Sequence, residues 1–292
     1  MKTLADMIQE WQLSIVSILK GLQGYCKVRC WNWSSSWVVS SGVYCFWAEL
    51  PPEARPIQAR VLEEYQRLHD VLQVLLCGQP DDTLRELKQA NEVVIGVIKQ
   101  EGCLHYATAD EAFLEATEAL KTAVGLISRL YSAEEDTIIL VPDTNALLYN
   151  PDLDSWDLYE GRQYRLVLLP TVLAELDKHK INHRNESVRK CSERLIRQIK
   201  EYRRRGSLVD GVTLRTGKSV IQTVAIEPDA SKSLPWLDAS NEDDRLLAAM
   251  IEVIRRNPRA YCVLVTRDIN LQNKAEFARV PYEEPSEPQR AK

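Results

Sequence analysis

Apolar residues recur at helical spacing through much of the first half of the chain. From Ala54 to Leu130 an apolar side chain returns every three or four residues, a period that predicts amphipathic helices. Three helices that fit a bundle are defined by Val61, Leu62, Tyr65, Leu68, Leu72 and Leu75, by Leu84, Leu87, Val94, Ile95 and Ile98, and by Phe113, Ala116, Leu120, Val124 and Ile127. Residues 1–20 fit a further helix.

The second half alternates between short apolar runs and helical patterns. Buried strands are predicted at Thr137–Val141, Arg165–Leu169 and Ala260–Val265. Strands that alternate with helices are typical of a parallel sheet covered on both faces. The stretch Ser207–Ile226 has the alternation and the Asp-Gly and Thr-Gly turn signals of short strands or a hairpin.

The change in pattern predicts two domains. We place the boundary near residue 134, so that residues 1–133 form a mainly helical N-terminal domain of unknown role and residues 134–283 form an α/β domain. Within the first domain, residues 26–50 have the aromatic and β-branched content of strands, without a clear register. Residues 284–292, rich in Glu and Pro, are expected to form a flexible tail.

Composition and charge narrow the class of protein. With 45% hydrophobic and 27% charged residues, the 292-residue chain should fold around a core, and its net charge of -5 argues against a wholly basic scaffold. The seven Cys have no spacing typical of a disulfide framework. No secretory signal is evident, and no run reaches the roughly 18 apolar residues of a membrane helix. We therefore expect a cytoplasmic protein without membrane association.

Acidic residues mark the second half at places that a parallel sheet would bring together. Asp143 follows the run IILVP, and Asp268 follows the strand AYCVLV with two residues between. Glu175 lies in the first turns of the helix that opens at Pro170, while Asp243 and Asp244 lie at the start of another. Because strand ends and helix starts share one edge of such a sheet, these carboxylates are expected to converge.

Each acid taken alone also has a structural interpretation. Asp143 and Asp268 are suited to cap helices, Glu175 to pair with Lys178 or His179, and first-turn acids complement the helix dipole. Gathering several carboxylates on one edge is costly unless a cation neutralises them, and a hard divalent ion bound through oxygen is the natural choice. His179 and His183 form a poorer metal site, since no third ligand is spaced nearby.

Four ordered motifs carry a resemblance to a known family. They are VPDTNALL, VLAELDKHK, NEDDRLLAA and VTRDINLQNKA, and they lie within the region from about residue 137 to residue 282. This region resembles the PIN domain, a metal-dependent ribonuclease fold, and is most similar to the branch found beside PhoH-like ATPases and in RNA-decay factors. The resemblance implies a three-layer α/β/α domain with a central, mostly parallel sheet, following the mainly helical N-terminal domain.

The resemblance also implies the roles of individual residues. Asp143, Glu175, Asp243 and Asp268 would be the catalytic acids that bind Mg²⁺ or Mn²⁺, with Asp244 a second candidate for the third acid. Thr144, Asn145 and Thr266 would support them with hydrogen bonds. The expected reaction is hydrolysis of single-stranded RNA to 5′-phosphate and 3′-hydroxyl ends. Homodimerisation is a further expectation, and the N-terminal domain would recruit a partner protein or the substrate.

A basic stretch offers a surface for the substrate. From Lys178 to Lys218 there are thirteen Lys and Arg against four Asp and Glu, a net charge of +9 in an acidic protein. A solvated helix face explains such charge equally well, but the position directly after Glu175 favours contact with phosphates. The residues expected to bind RNA are Lys178, Lys180, Arg184, Arg189, Arg194 and Arg197.

Two other functions remain open from the sequence. A non-catalytic module could keep the PIN fold and bind RNA or protein, although four acids in place argue against it. A structure-selective DNA nuclease of the flap-endonuclease kind is a third possibility. Members of that group usually have more acids and a helical arch, which this sequence does not show.

Overall fold

In the computed structural model the chain forms two compact units, which meet in the sequence after Leu130. The structure describes residues 4–35, 40–101, 106–130, 137–215, 219–227, 233–257 and 260–288. The domain boundary predicted near residue 134 lies outside these ranges.

The first unit is mainly helical, as the apolar periodicity predicts. Its helices are α1 (Leu4–Gln23), α2 (Arg55–Leu76), α3 (Asp81–Lys99) and α4 (Ala109–Leu130). Val61, Tyr65 and Leu68 on α2 are buried, which confirms the apolar stripe expected there. Within the described ranges, no helix is long and apolar enough to cross a membrane.

A hairpin interrupts the helices of the first unit. Strands β1 (Val28–Ser35) and β2 (Ser40–Trp47) pair antiparallel, and their register sets Cys30 opposite Cys45. These two residues form a disulfide. The spacing of the Cys residues did not predict this disulfide, because the bond depends on the register of the hairpin.

The second unit is the predicted α/β domain. Its six-stranded sheet has the order β5-β6-β4-β3-β7-β8 and is parallel except for the β5–β6 pair. Its strands are β3 (Ile138–Pro142), β4 (Tyr164–Leu168), β5 (Val212–Arg215), β6 (Ser219–Thr223), β7 (Tyr261–Val265) and β8 (Tyr282–Glu283). Its helices are α5 (Thr144–Tyr149), α6 (Pro170–Asn182), α7 (Glu186–Arg205), α8 (Glu242–Arg256) and α9 (Ile269–Phe277).

Burial along β3 shows why the sheet needs two helical layers. Ile138, Ile139, Leu140 and Val141 are all at most 1% exposed. Successive strand residues point to opposite faces, so both faces of the sheet are covered. The three-layer α/β/α architecture is confirmed. The bounds of β3, β4 and β7 lie within one residue of the predicted strands, and β5 and β6 lie within the stretch Ser207–Ile226, whereas β8 was not predicted.

The register of the central strands positions the site. Pro142 at the end of β3 pairs with Val265 at the end of β7. The backbone N–H of Asp143 then donates to the Val265 carbonyl at 3.0 Å, one step beyond the ladder. The residues that follow β3 and β7 are therefore neighbours, as the parallel sheet predicts.

The segment predicted to be a flexible tail is held at one point. The Asn150 Nδ2 donates to the Ser286 carbonyl at 3.1 Å, and the Asp157 N–H donates to Ser286 Oγ at 2.9 Å. These bonds tie Ser286 to the loop after α5. Residues 289–292 lie outside the described part of the chain.

Candidate functional site

Asp143 sits at the junction of β3 and α5, where it is only 4% exposed. It is the N-cap of α5, and its Oδ1 accepts a hydrogen bond of 2.6 Å from the Ala146 N–H. Its Oδ2 accepts from Thr266 Oγ1 at 2.5 Å. Each oxygen keeps a lone pair beyond these bonds, so the cap interpretation and a role in binding a cation are compatible.

The electrostatic environment of Asp143 is unfavourable for a charge. Burial raises the pKa of this carboxyl to about 6, although the hydrogen bonds from Thr266 and Ala146 lower it. The neighbouring carboxylates of Asp268 and Glu175 raise the pKa further by repulsion. Three of the predicted acids are thus close enough to influence one another.

Asp268 and Thr266 follow β7. Asp268 is the N-cap of α9, and its Oδ1 accepts from the N–H groups of Asn270 at 2.8 Å and Leu271 at 3.3 Å. Thr266 is fully buried, and its Oγ1 also accepts from the Asp268 N–H at 3.0 Å. A single hydroxyl therefore links the acid after β3 to the acid after β7.

Glu175 approaches from α6 and is oriented by the neighbour of Asp143. Thr144 Oγ1 donates to Glu175 Oε2 at 2.6 Å. On the other oxygen, His179 Nε2 lies 3.7 Å from Glu175 Oε1, one turn along the helix. The pairing with His179 that the sequence suggested is present, together with the hydroxyl contact that connects Glu175 to the first motif.

The remaining two acids lie in the first turn of α8. Asn241 caps this helix by accepting from the N–H groups of Asp243 and Asp244. Asp244 has a side chain only 9% exposed, whereas that of Asp243 is 38% exposed. Lys274 on α9 places its Nζ 2.6 Å from Asp244 Oδ1 and 3.6 Å from Asp243 Oδ2.

A pocket of about 530 Å³ brings most of these residues to one surface. The predicted site residues that line it are Asp143, Thr144, Asn145, Glu175, Lys178, Asp243 and Asp244. Asp268 and Thr266 are not among its lining residues. Asp268 is connected to Asp143 through the Thr266 hydroxyl, and its carboxylate raises the pKa of Asp143.

The acids suit a divalent cation in their chemistry. They are hard oxygen donors, and the repulsion that raises the pKa of Asp143 is what a cation would relieve. As placed, no three His, Cys, Asp or Glu side chains of the described residues are close enough to hold one ion between them. The donor set therefore fits Mg²⁺ or Mn²⁺ by type, with Asp143, Glu175, Asp268 and the α8 acids as the residues that would hold it.

Comparison with known families agrees with this geometry. The family model of the PIN domain matches residues 140–285, half of the chain. The chain belongs to the PIN-domain family. PIN domains are generally nucleases, so the second unit has a nuclease-like fold. No curated protein matches this chain.

The predicted RNA-binding residues of the PIN domain fall into different settings. Lys178 lines the pocket and pairs with Glu242 at 3.4 Å, and Arg184 and Arg194 are exposed. Lys180 is half-buried, and Arg197 pairs with Glu193 at 3.0 Å. The Arg189 guanidinium donates to the carbonyls of His183 and Arg184 at 2.7 and 3.3 Å, so it closes the end of α6.

Lys274 is the residue that the sequence analysis missed. It belongs to the quoted motif VTRDINLQNKA, but no role was assigned to it. The sequence does place Lys274 six residues after Asp268, on the helix that this acid caps, and this position could have indicated a charge near the site. Only the packing of α9 beside α8 shows that its charge meets Asp243 and Asp244.

Proposed function

We propose that this protein is a metal-dependent endoribonuclease that hydrolyses phosphodiester bonds of single-stranded RNA. The observation that supports it most directly is the buried Asp143, whose pKa is raised to about 6 beside Asp268 and Glu175. Burying a carboxylate beside others lowers stability, and carboxyl groups with raised pKa values cluster at functional sites. A bound divalent ion would offset this cost and supply the chemistry.

The chain's own residues would act on the ion and on the substrate phosphate. Asp143, Glu175 and Asp268 would hold Mg²⁺ or Mn²⁺, partly through water, with Asp243 or Asp244 completing the set. When bound, such an ion would lower the pKa of a bound water and neutralise charge on the leaving oxygen. Thr266 keeps Asp143 oriented and Thr144 keeps Glu175 oriented. The exposed Asn145 lines the pocket, where it could donate to a substrate phosphate.

The substrate would approach along α6 and α7. Lys178 stands on α6 at the wall of the pocket, three residues from Glu175, and the exposed Arg184 and Arg194 follow on the same stretch of chain. These cations suit a phosphate backbone. Because Arg189 bonds to backbone carbonyls, we assign it a structural role and place less weight on it as an RNA contact.

Cleavage assays with matched variants test this function. The protein is incubated with labelled single-stranded RNA, double-stranded RNA and single-stranded DNA, each with and without Mn²⁺. We expect Mn²⁺-dependent cleavage of the single-stranded RNA to 5′-phosphate ends, and its loss in Asp143→Asn and Asp268→Asn. Asp177→Asn is the control, because Asp177 is an exposed acid on α6 outside the pocket lining. Equal cleavage by all three variants would overturn the proposed mechanism.

One observation favours a second candidate, a non-catalytic PIN module that binds RNA or protein. Among the described residues the acids are not grouped closely enough to hold an ion as they stand. For such a module we expect no rise in the thermal unfolding temperature with Mn²⁺ and no cleavage of any substrate. Cleavage of branched DNA in preference to single-stranded RNA would instead indicate a structure-selective DNA nuclease.

A further inference from the structure

The five acids of the site differ in the cationic side chains that lie near them. Lys274 reaches the two acids of α8, with its Nζ 2.6 Å from Asp244 Oδ1 and 3.6 Å from Asp243 Oδ2. Within the ranges that the structure describes, no Lys or Arg forms an ion pair with Asp143, Glu175 or Asp268. Among the described residues, the α8 end of the site, Asp243 and Asp244, thus has a Lys within ion-pair distance. The β3 end, Asp143, Glu175 and Asp268, has no such Lys or Arg, although the His179 ring lies 3.7 Å from Glu175.

Asp244 is engaged on both of its oxygens. Its Oδ2 accepts a 2.9 Å hydrogen bond from the Asp238 N–H, while Oδ1 faces the Lys274 ammonium. The loop that provides this N–H is fastened to α9 as well, since the rings of Trp236 and Phe277 meet edge to face with centroids 5.1 Å apart. Both partners of Asp244 are therefore anchored to α9.

The position of α9 couples the two ends of the site. Asp268 caps its first turn and belongs to the β3 end, whereas Lys274 in its second half belongs to the α8 end. The Lys274 side chain is 27% exposed, so its charge is largely withdrawn from water beside two carboxylates. An ion bound to the same oxygens would face this ammonium at close range, and like charges at that range repel strongly.

We propose that the Lys274 ammonium is a resident cation that takes the place of a second divalent ion, so that the site binds one divalent ion, at the Asp143 end. This inference rests on the proposed function. Lys274 acts on the α8 acids and not on the reacting atoms. Asp243 and Asp244, named above as further ligands, are then occupied by Lys274 in the wild type, and the exchangeable ion is held by Asp143, Glu175 and Asp268 alone.

Counting bound Mn²⁺ by equilibrium dialysis on the full-length protein tests the proposal without measuring activity. We expect one Mn²⁺ per chain in the wild type and two in Lys274→Met, in which an unbranched side chain one atom shorter replaces the charged one. Lys274→Arg should stay at one. Adding Asp244→Asn to Lys274→Met should return the count to one, which would place the second ion on the α8 acids.

A control and an independent readout keep the result interpretable. Arg256→Met removes a cation that pairs with Glu252 near the other end of α8, and it should leave the count at one. A wild type that binds two Mn²⁺, or a folded Lys274→Met protein that still binds one, would overturn the proposal. If the wild type binds one ion and cleaves RNA while Lys274→Met also binds one, the proposed function survives and the role of Lys274 falls. A wild type that binds none overturns both.

Discussion

Thr266 and Asp143 are joined by a hydrogen bond between the ends of two neighbouring strands. The Thr266 hydroxyl donates to Asp143 Oδ2 at 2.5 Å and at the same time accepts from the Asp268 N–H at 3.0 Å. The two acids are 125 residues apart in the sequence by their numbers. This hydroxyl connects them because β3 and β7 are paired in parallel and in register.

Thr266→Val should damage the site while nearly preserving its shape. It leaves Asp143 Oδ2 and the Asp268 N–H without their partner, and a lost buried hydrogen bond to a charged group costs about 1.5–3 kcal/mol. We expect a lower urea midpoint and weaker cleavage. Thr266→Ser keeps the hydroxyl and should retain most of the activity. A Val variant with wild-type stability and cleavage would show that the bond is unimportant.

Asp143→Asn should stabilise the metal-free protein at neutral pH while abolishing cleavage. Burial raises the folded pKa of Asp143 to about 6 from 3.8, so the folded state binds more protons than the unfolded state between these values. Its favourable contribution is therefore lost as pH rises through this window, by roughly 3 kcal/mol at most. Asn does not ionise and avoids that loss.

Chemical denaturation at two pH values checks this expectation. The difference in the free energy of unfolding between Asp143→Asn and the wild type should be small at pH 4 and should favour the variant by about 1–3 kcal/mol at pH 7.5. Asp177→Asn, at an exposed position on α6, is the control variant. A wild type that is the more stable protein at pH 7.5 without metal would contradict the assignment.

Binding of Mn²⁺ should weaken below about pH 6. The carboxylate, not the acid, binds a hard cation, and the pKa of Asp143 is raised to about 6. Each pH unit below that value should then lower the apparent affinity by about tenfold. Isothermal titration from pH 5 to 7.5 measures this dependence, and a flat profile would exclude Asp143 as a ligand that titrates.

Thr144→Val should impair the position of Glu175 more than the fold. It removes the donor that lies 2.6 Å from Glu175 Oε2, while its β-branched shape still fits the buried start of α5. We expect kcat to fall by about 10-fold or more, with a smaller effect on KM, because orientation matters most in the transition state. Thr144→Ser should restore kcat, and failure of that rescue would point to a packing defect.

The exposed arginines should control the dependence of RNA binding on salt. Replacing Arg184 and Arg194 together with Gln removes two exposed cations of the basic stretch. If both contact phosphates, the slope of log K against log salt should fall by about 0.7 for each on single-stranded RNA. Filter binding at several salt concentrations measures it. Lys121→Gln on α4 is a control, and an equal change there would indicate a general effect of charge.

Local sequence determined the elements and most of the candidate site. The apolar run that forms β3 is buried from Ile138 to Val141, and a chain segment of this kind has few alternatives to a central strand. Asp143 and Asp268 follow such strands, so their shared edge could be predicted from the rule that governs parallel sheets. The helices of the first unit were predictable for the same reason, because periodicity is a local property.

Contacts between distant segments could be decided only by the tertiary structure. The Cys30–Cys45 disulfide depends on the register of a hairpin, and the use of Arg189 to close α6 depends on the turn before α7. The sequence showed Lys274 as one of many cations, and only the packing of α9 beside α8 sets it against Asp243 and Asp244. Charge can be read along a chain, but the partner of each charge is a property of the fold, because electrostatic energy depends on distance in space.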